Sequence, residues 1–77
     1  MMKLNIVSGR DMCKILEKIE FKKIHQVESH VRYVHSDGCK TVVPVHGNEM
    51  LGRGLINEIL KQVKLSREEY EKLRLKI

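Results

Sequence analysis

The spacing of apolar residues changes period twice along the chain, and no other property limits its fold as sharply. Met12, Ile15, Leu16 and Ile19 recur at i, i+3, i+4 and i+7, which makes one face of a helix apolar and leaves Lys14, Glu17 and Lys18 on its solvated side. Ser8-Gly9-Arg10-Asp11 supplies helix-start residues just before it. From Phe21 the helical spacing is lost: residues 21–27 and 30–35 read as two short strands, and residues 40–45 as a third. Ser36-Asp37-Gly38 marks a hairpin turn, since Asp and Gly accept the backbone angles such a turn requires. Pro44 has no N–H to give to a ladder, so that end of the third strand is an edge or an exit. A flexible passage through His46-Gly47-Asn48, Gly52 and Gly54 leads to a second helix, where helical spacing returns at Ile56, Ile59, Leu60 and Val63. Ser66-Arg67-Glu68-Glu69 reads as a capping box, Ser66 capping and Glu69 reaching back, which launches a short last helix through Tyr70 and Leu73.

The order is therefore helix, three strands, helix, helix, without repeats or low-complexity segments. With 77 residues, 42% of them hydrophobic, the chain has material for one core and one domain spanning residues 1–77. Fifteen Lys and Arg against ten Asp and Glu give a net charge of +5, which favours a polyanion over a neutral or basic partner. Cys13 and Cys39 are isolated, and the sequence carries no signal peptide and no long apolar segment. The expectation is two free thiols, a reducing, cytoplasmic setting and no membrane. A zinc site would have to gather the scattered His25, His30, His35 and His46, so neither a metal nor a cofactor is expected.

Strand alternation puts His30 and Arg32 on one face of the sheet and Val31 and Tyr33 on the other. Imidazole exchanges protons near neutrality, and a guanidinium grips phosphate, so the two side chains together suit work on a phosphodiester. Lys22, Lys23, Arg32 and Lys40 lie on or beside the strands as candidate phosphate contacts, with a merely solvated charged face as the alternative. His46 is a candidate assisting group or, alternatively, a loop cap. Ser29 shows no partner that would make it a nucleophile and is read as orienting or capping. Tyr33, set among Val31 and Val42, reads as core. With one Phe, two Tyr and no Trp, a nucleic-acid partner would be recognised by shape and backbone rather than by many stacked bases.

Taken together, Ser8-Gly9, Phe21, Ser29-His30, Asp37-Gly38, Pro44-Val45-His46-Gly47 and Gly54 before Ile59-Leu60-Lys61 resemble, in order and spacing, the HicA toxins of HicA–HicB toxin–antitoxin systems. The resemblance implies an α-β-β-β-α fold with a three-stranded antiparallel sheet, similar to a double-stranded RNA-binding domain, here followed by a short C-terminal helix. It also implies ribonuclease activity on messenger RNA, His30 as the catalytic residue, and a HicB-type antitoxin that covers the site. Two positions depart from the family's usual glycine: Glu20 before Phe21, and Glu28 before Ser29. The first helix is then expected to end without a left-handed glycine. On a continuous strand, Glu28 would share the face of His30 at about 6–7 Å and act as a possible assisting carboxylate.

Two rival functions fit the same sequence. A noncatalytic RNA-binding module of this fold would keep the basic surface without needing His30. A DNA-binding regulator would use the helix from Leu55 to Val63, but Asn57, Glu58, Lys61 and Gln62 make a poor basic recognition face.

Overall fold

The computed structural model describes residues 4–77. The first helix, α1 (Gly9–Lys18), starts where Ser8 takes an extended conformation and its Oγ accepts the Asp11 N–H at 3.1 Å. Met12, Ile15 and Leu16 are buried beneath it, as their spacing predicts. Glu17 is exposed but not merely solvated, because it accepts a 2.7 Å hydrogen bond from the Tyr33 hydroxyl. No glycine closes α1, as expected, but the left-handed position is kept, and Glu20 occupies it at φ +74°. The Phe21 N–H reaches the Leu16 carbonyl and the Glu20 N–H reaches that of Glu17, the two bonds of a Schellman motif. Phe21 is buried as the hydrophobic residue that follows such a cap.

Three antiparallel strands follow in the order β1 (Lys22–Val27), β2 (His30–Val34) and β3 (Lys40–Pro44), each one residue shorter at one end than sequence spacing suggests. The β1–β2 register shifts between Lys23 and His25, a bulge that leaves Ile24 58% exposed. Val31, Tyr33, Thr41 and Val43 form the buried face of β2 and β3, whereas every residue of β1 is exposed. The passage after β3 ends at Gly52, the N-cap of α2 (Arg53–Gln62), so Gly54 lies inside the helix rather than in the passage. Ile56, Ile59 and Leu60 bury the inner stripe of α2. A second Schellman pair, Leu65 N–H to Leu60 and Lys64 N–H to Lys61, ends it, with Lys64 left-handed at φ +58°.

The last helix, α3 (Arg67–Arg74), is capped by Ser66 Oγ accepting the Glu69 N–H at 3.1 Å; the reciprocal bond, in which the Ser66 N–H would donate to the Glu69 carboxylate, does not form. Its Tyr70 is wholly buried and donates to the Asn5 carbonyl at 2.6 Å, while Glu71 accepts from the Asn5 amide groups. The buried apolar residues, from Leu4 to Tyr70, form one cluster between the helices and one face of the sheet. The result is the α-β-β-β-α arrangement of a double-stranded RNA-binding domain with α3 appended. Among the described residues no helix is long and apolar enough to cross a membrane. Cys13 and Cys39 are both free. Burial pushes the Cys13 thiol up, and a hydrogen bond with Asp37, followed by burial, does the same at Cys39, so both are held in the less reactive protonated form.

Candidate active site

The sheet face turned away from the helices carries three cross-strand rows: Val27–His30–Pro44, His25–Arg32–Val42 and Lys22–Val34–Lys40. Paired residues in an antiparallel ladder project to the same side, so His30 and Arg32 share one exposed face with Lys22 and Lys40 in the third row. Lys23 does not join them. It pairs with Tyr33, whose side chain enters the core, and its charge acts on Cys13 of α1, which places it toward the helix side.

Glu28 is not on a strand. It is the first residue of a two-residue loop, Glu28-Ser29, between β1 and β2, and its φ is +54°. A positive φ at that position suits the twist of a tight hairpin and is the reason glycine is favoured there. Gln26 Nε2 donates to the Glu28 carbonyl at 3.2 Å, so the loop is tied across its mouth. Assigning Glu28 to the His30 face by strand alternation is therefore incorrect.

Ser29 has the partner that the linear sequence hides. Its Oγ lies 3.3 Å from His46 Nε2, and its carbonyl accepts the Val45 N–H at 2.7 Å. These contacts fasten the chain leaving β3 to the loop that presents His30. The two residues are 17 apart in sequence, and only the antiparallel return of β3 brings them together, so no local motif could have shown the pairing. Gly9 supports the same segment from behind, because a Cβ there would stand 2.1 Å from the Pro44 carbonyl oxygen.

The other histidines differ. His25 sits beside Arg32 in the adjacent row and next to the bulge. His35 is committed elsewhere: its ring lies 5.0 Å from that of Phe21, and its Nδ1 accepts the Asp37 N–H at 3.1 Å. Asp37 in turn accepts the Cys39 N–H at 2.8 Å, and that backbone bond holds its carboxyl below the usual range. The pair organises the β2–β3 turn.

A groove of about 350 Å³ opens between the exposed sheet face and α2, with Ile24, Val42 and Leu55 as apolar wall and Arg32, Lys40, Glu58 and Gln62 as polar rim. It continues from the His30 row through Arg32. The bulge at Ile24, which sequence spacing missed, shapes one side. Such a surface can bind a phosphate chain, hold an imidazole against it and shelter an apolar or aromatic group beside it.

Comparison with known proteins points to a family. The profile of the family described as the HicA toxin of bacterial toxin–antitoxin systems matches residues 9–65, from the start of α1 to the residue that closes α2. No curated protein matches the sequence. Since the matched span covers most of the chain and contains every candidate site residue, the chain belongs to the HicA toxin family and is a toxin of the toxin–antitoxin type.

Proposed function

We propose that the chain, acting as one domain over residues 1–77, is an endoribonuclease that cleaves messenger RNA in the cytoplasm without a metal, with His30 as a catalytic proton-transfer residue. The observation that carries this reading is the row geometry: His30 and Arg32 stand on one exposed sheet face beside Lys22 and Lys40. A ribose 2′-hydroxyl loses its proton to a base, its oxygen attacks the adjacent phosphorus, and the 5′ oxygen departs with a proton. His30 serves as the base. Arg32 offers two N–H donors to the phosphate, while Lys22 and Lys40 extend the positive track along the backbone. A HicB-type antitoxin restrains the toxin by covering this face.

The decisive comparison is wild type against His30→Ala on RNA in the presence of chelator. An exposed imidazole adds little to packing, so the variant should keep its thermal midpoint while losing cleavage by about 10²-fold or more. A well-folded variant that cleaves at the wild-type rate would remove His30 from the reaction. RNA binding by a wild type that cleaves nothing would point instead to the noncatalytic module.

A further inference from the structure

One histidine supplies the base for this cleavage but leaves the departing 5′ oxygen without a proton donor. We infer that His46 is that donor, the general acid, held in place by Ser29; the inference rests on the nuclease reading above. Three features of the fold support it. Pro44 pairs directly with His30, and the ladder continues one step further through the Val45 N–H and the Ser29 carbonyl at 2.7 Å. His46 is the next residue, one past that ladder bond, and its ring returns to the loop that presents His30, so both imidazoles border the same end of the sheet. Both histidines are exposed and can reach a phosphate arriving from solvent.

The second feature is restraint. The 3.3 Å contact between His46 Nε2 and Ser29 Oγ fixes the ring against the same loop that presents His30, and the close approach of Gly9 to Pro44 backs the segment from the other side. A proton donor that is already oriented loses less entropy when the substrate arrives. The third is elimination. His35 packs at a tilt against Phe21 and is bonded to Asp37, while His25, the diagonal neighbour of His30 on β1, has no comparable anchor and adjoins the bulge.

The step balances without redox chemistry. His30 takes the 2′-hydroxyl proton, the O2′–P bond forms, and the P–O5′ bond breaks with its electron pair on O5′. That oxygen takes a proton from the His46 imidazolium, giving a 2′,3′-cyclic phosphate and a free 5′-hydroxyl. Solvent then restores both rings. Ser29 is a positioning residue in this scheme, since it acts through His46.

The test separates proton donation from support of the fold by changing the leaving group. Single-turnover rates are measured in chelator for a short single-stranded RNA and for a uridine 3′-(4-nitrophenyl phosphate), whose phenolate departs without protonation. Wild type is compared with His46→Gln, Ser29→Ala, His25→Gln and His30→Gln, each checked for folding by circular dichroism. His46→Gln should slow RNA cleavage by about 10²-fold or more and leave the nitrophenyl ester close to the wild-type rate. Ser29→Ala should show the same selectivity with a smaller loss, His25→Gln should show none, and His30→Gln should slow both substrates. Equal slowing of both substrates by His46→Gln, an unaffected RNA rate, or the selectivity appearing in His25→Gln would overturn the assignment. Wild type that cleaves neither substrate would overturn the nuclease reading itself and this inference with it, an outcome distinct from failure of His46 alone.

Discussion

Glu20 and Glu28 hold positive φ angles of 74° and 54°, values that crowd the Cβ of any residue other than glycine. One closes α1 and the other opens the loop that presents Ser29 and His30, so the strain sits at both ends of β1. Replacing either by glycine relieves the crowding but loosens the unfolded chain, for a net gain of about 0.5–1 kcal/mol and a thermal midpoint higher by a few degrees. At Glu28 charge and backbone can be separated. Glu28→Gln should raise RNA affinity at low salt with little change in midpoint, because it removes a negative charge and keeps the strain, whereas Glu28→Gly should raise both. Calorimetry and RNA titration at two salt concentrations measure the pair; a midpoint unmoved by either glycine would show that these backbones carry no appreciable strain. The same residues mark the limit of what could be read beforehand. A glycine in the loop would have signalled a tight two-residue hairpin, whereas a glutamate gives no such signal and leaves a continuous strand open as an alternative.

At the scale of elements, the helices were legible because their apolar stripes and Ser caps are local, and Ser8 and Ser66 both cap where the sequence places them. What was hidden is how elements meet. Gly9 brings the first turn of α1 against the end of β3, a fit that leaves no room for a methyl group. Gly9→Ala should destabilise by about 1–3 kcal/mol and displace the segment carrying His46, so cleavage should fall more steeply than stability alone accounts for; urea unfolding alongside single-turnover rates tests this. The docking of α3 is equally non-local. Burial raises the Glu71 carboxyl, but hydrogen bonds from Arg74 and Asn5 outweigh it and leave the group below its ordinary value. A pKa lower in the folded than in the unfolded chain stabilises above the unfolded value, about 4.3, and the contribution is lost as pH falls through the folded value. Glu71→Gln should therefore lower the midpoint at neutral pH and flatten its fall in acid, which thermal scans from pH 3 to pH 7 would reveal.

Across the whole molecule, helices cover one face of the sheet, while the other carries His30, Arg32, Lys22 and Lys40 beside an apolar groove. The antitoxin proposed above, if it presents an acidic surface to this face, would compete with RNA for the same charges. Its association rate should fall steeply as ionic strength rises, whereas dissociation, governed by the groove contacts with Ile24, Val42 and Leu55, should change little. Stopped-flow mixing across a salt series distinguishes the two; a salt-independent association rate would place the partner on another surface. The α3 clasp lies beyond the span shared with the family, and it joins residues 65 positions apart, Tyr70 to Asn5. On a ribosome adding about 5–20 residues per second, the helix that shuts the core is synthesised after everything it shuts. Until it emerges, the inner side of the early segment around Leu4 and Val7 has no Tyr70 to rest against. A toxin built in this order lacks its finished core until α3 has been made and has folded back on the segment that was made first.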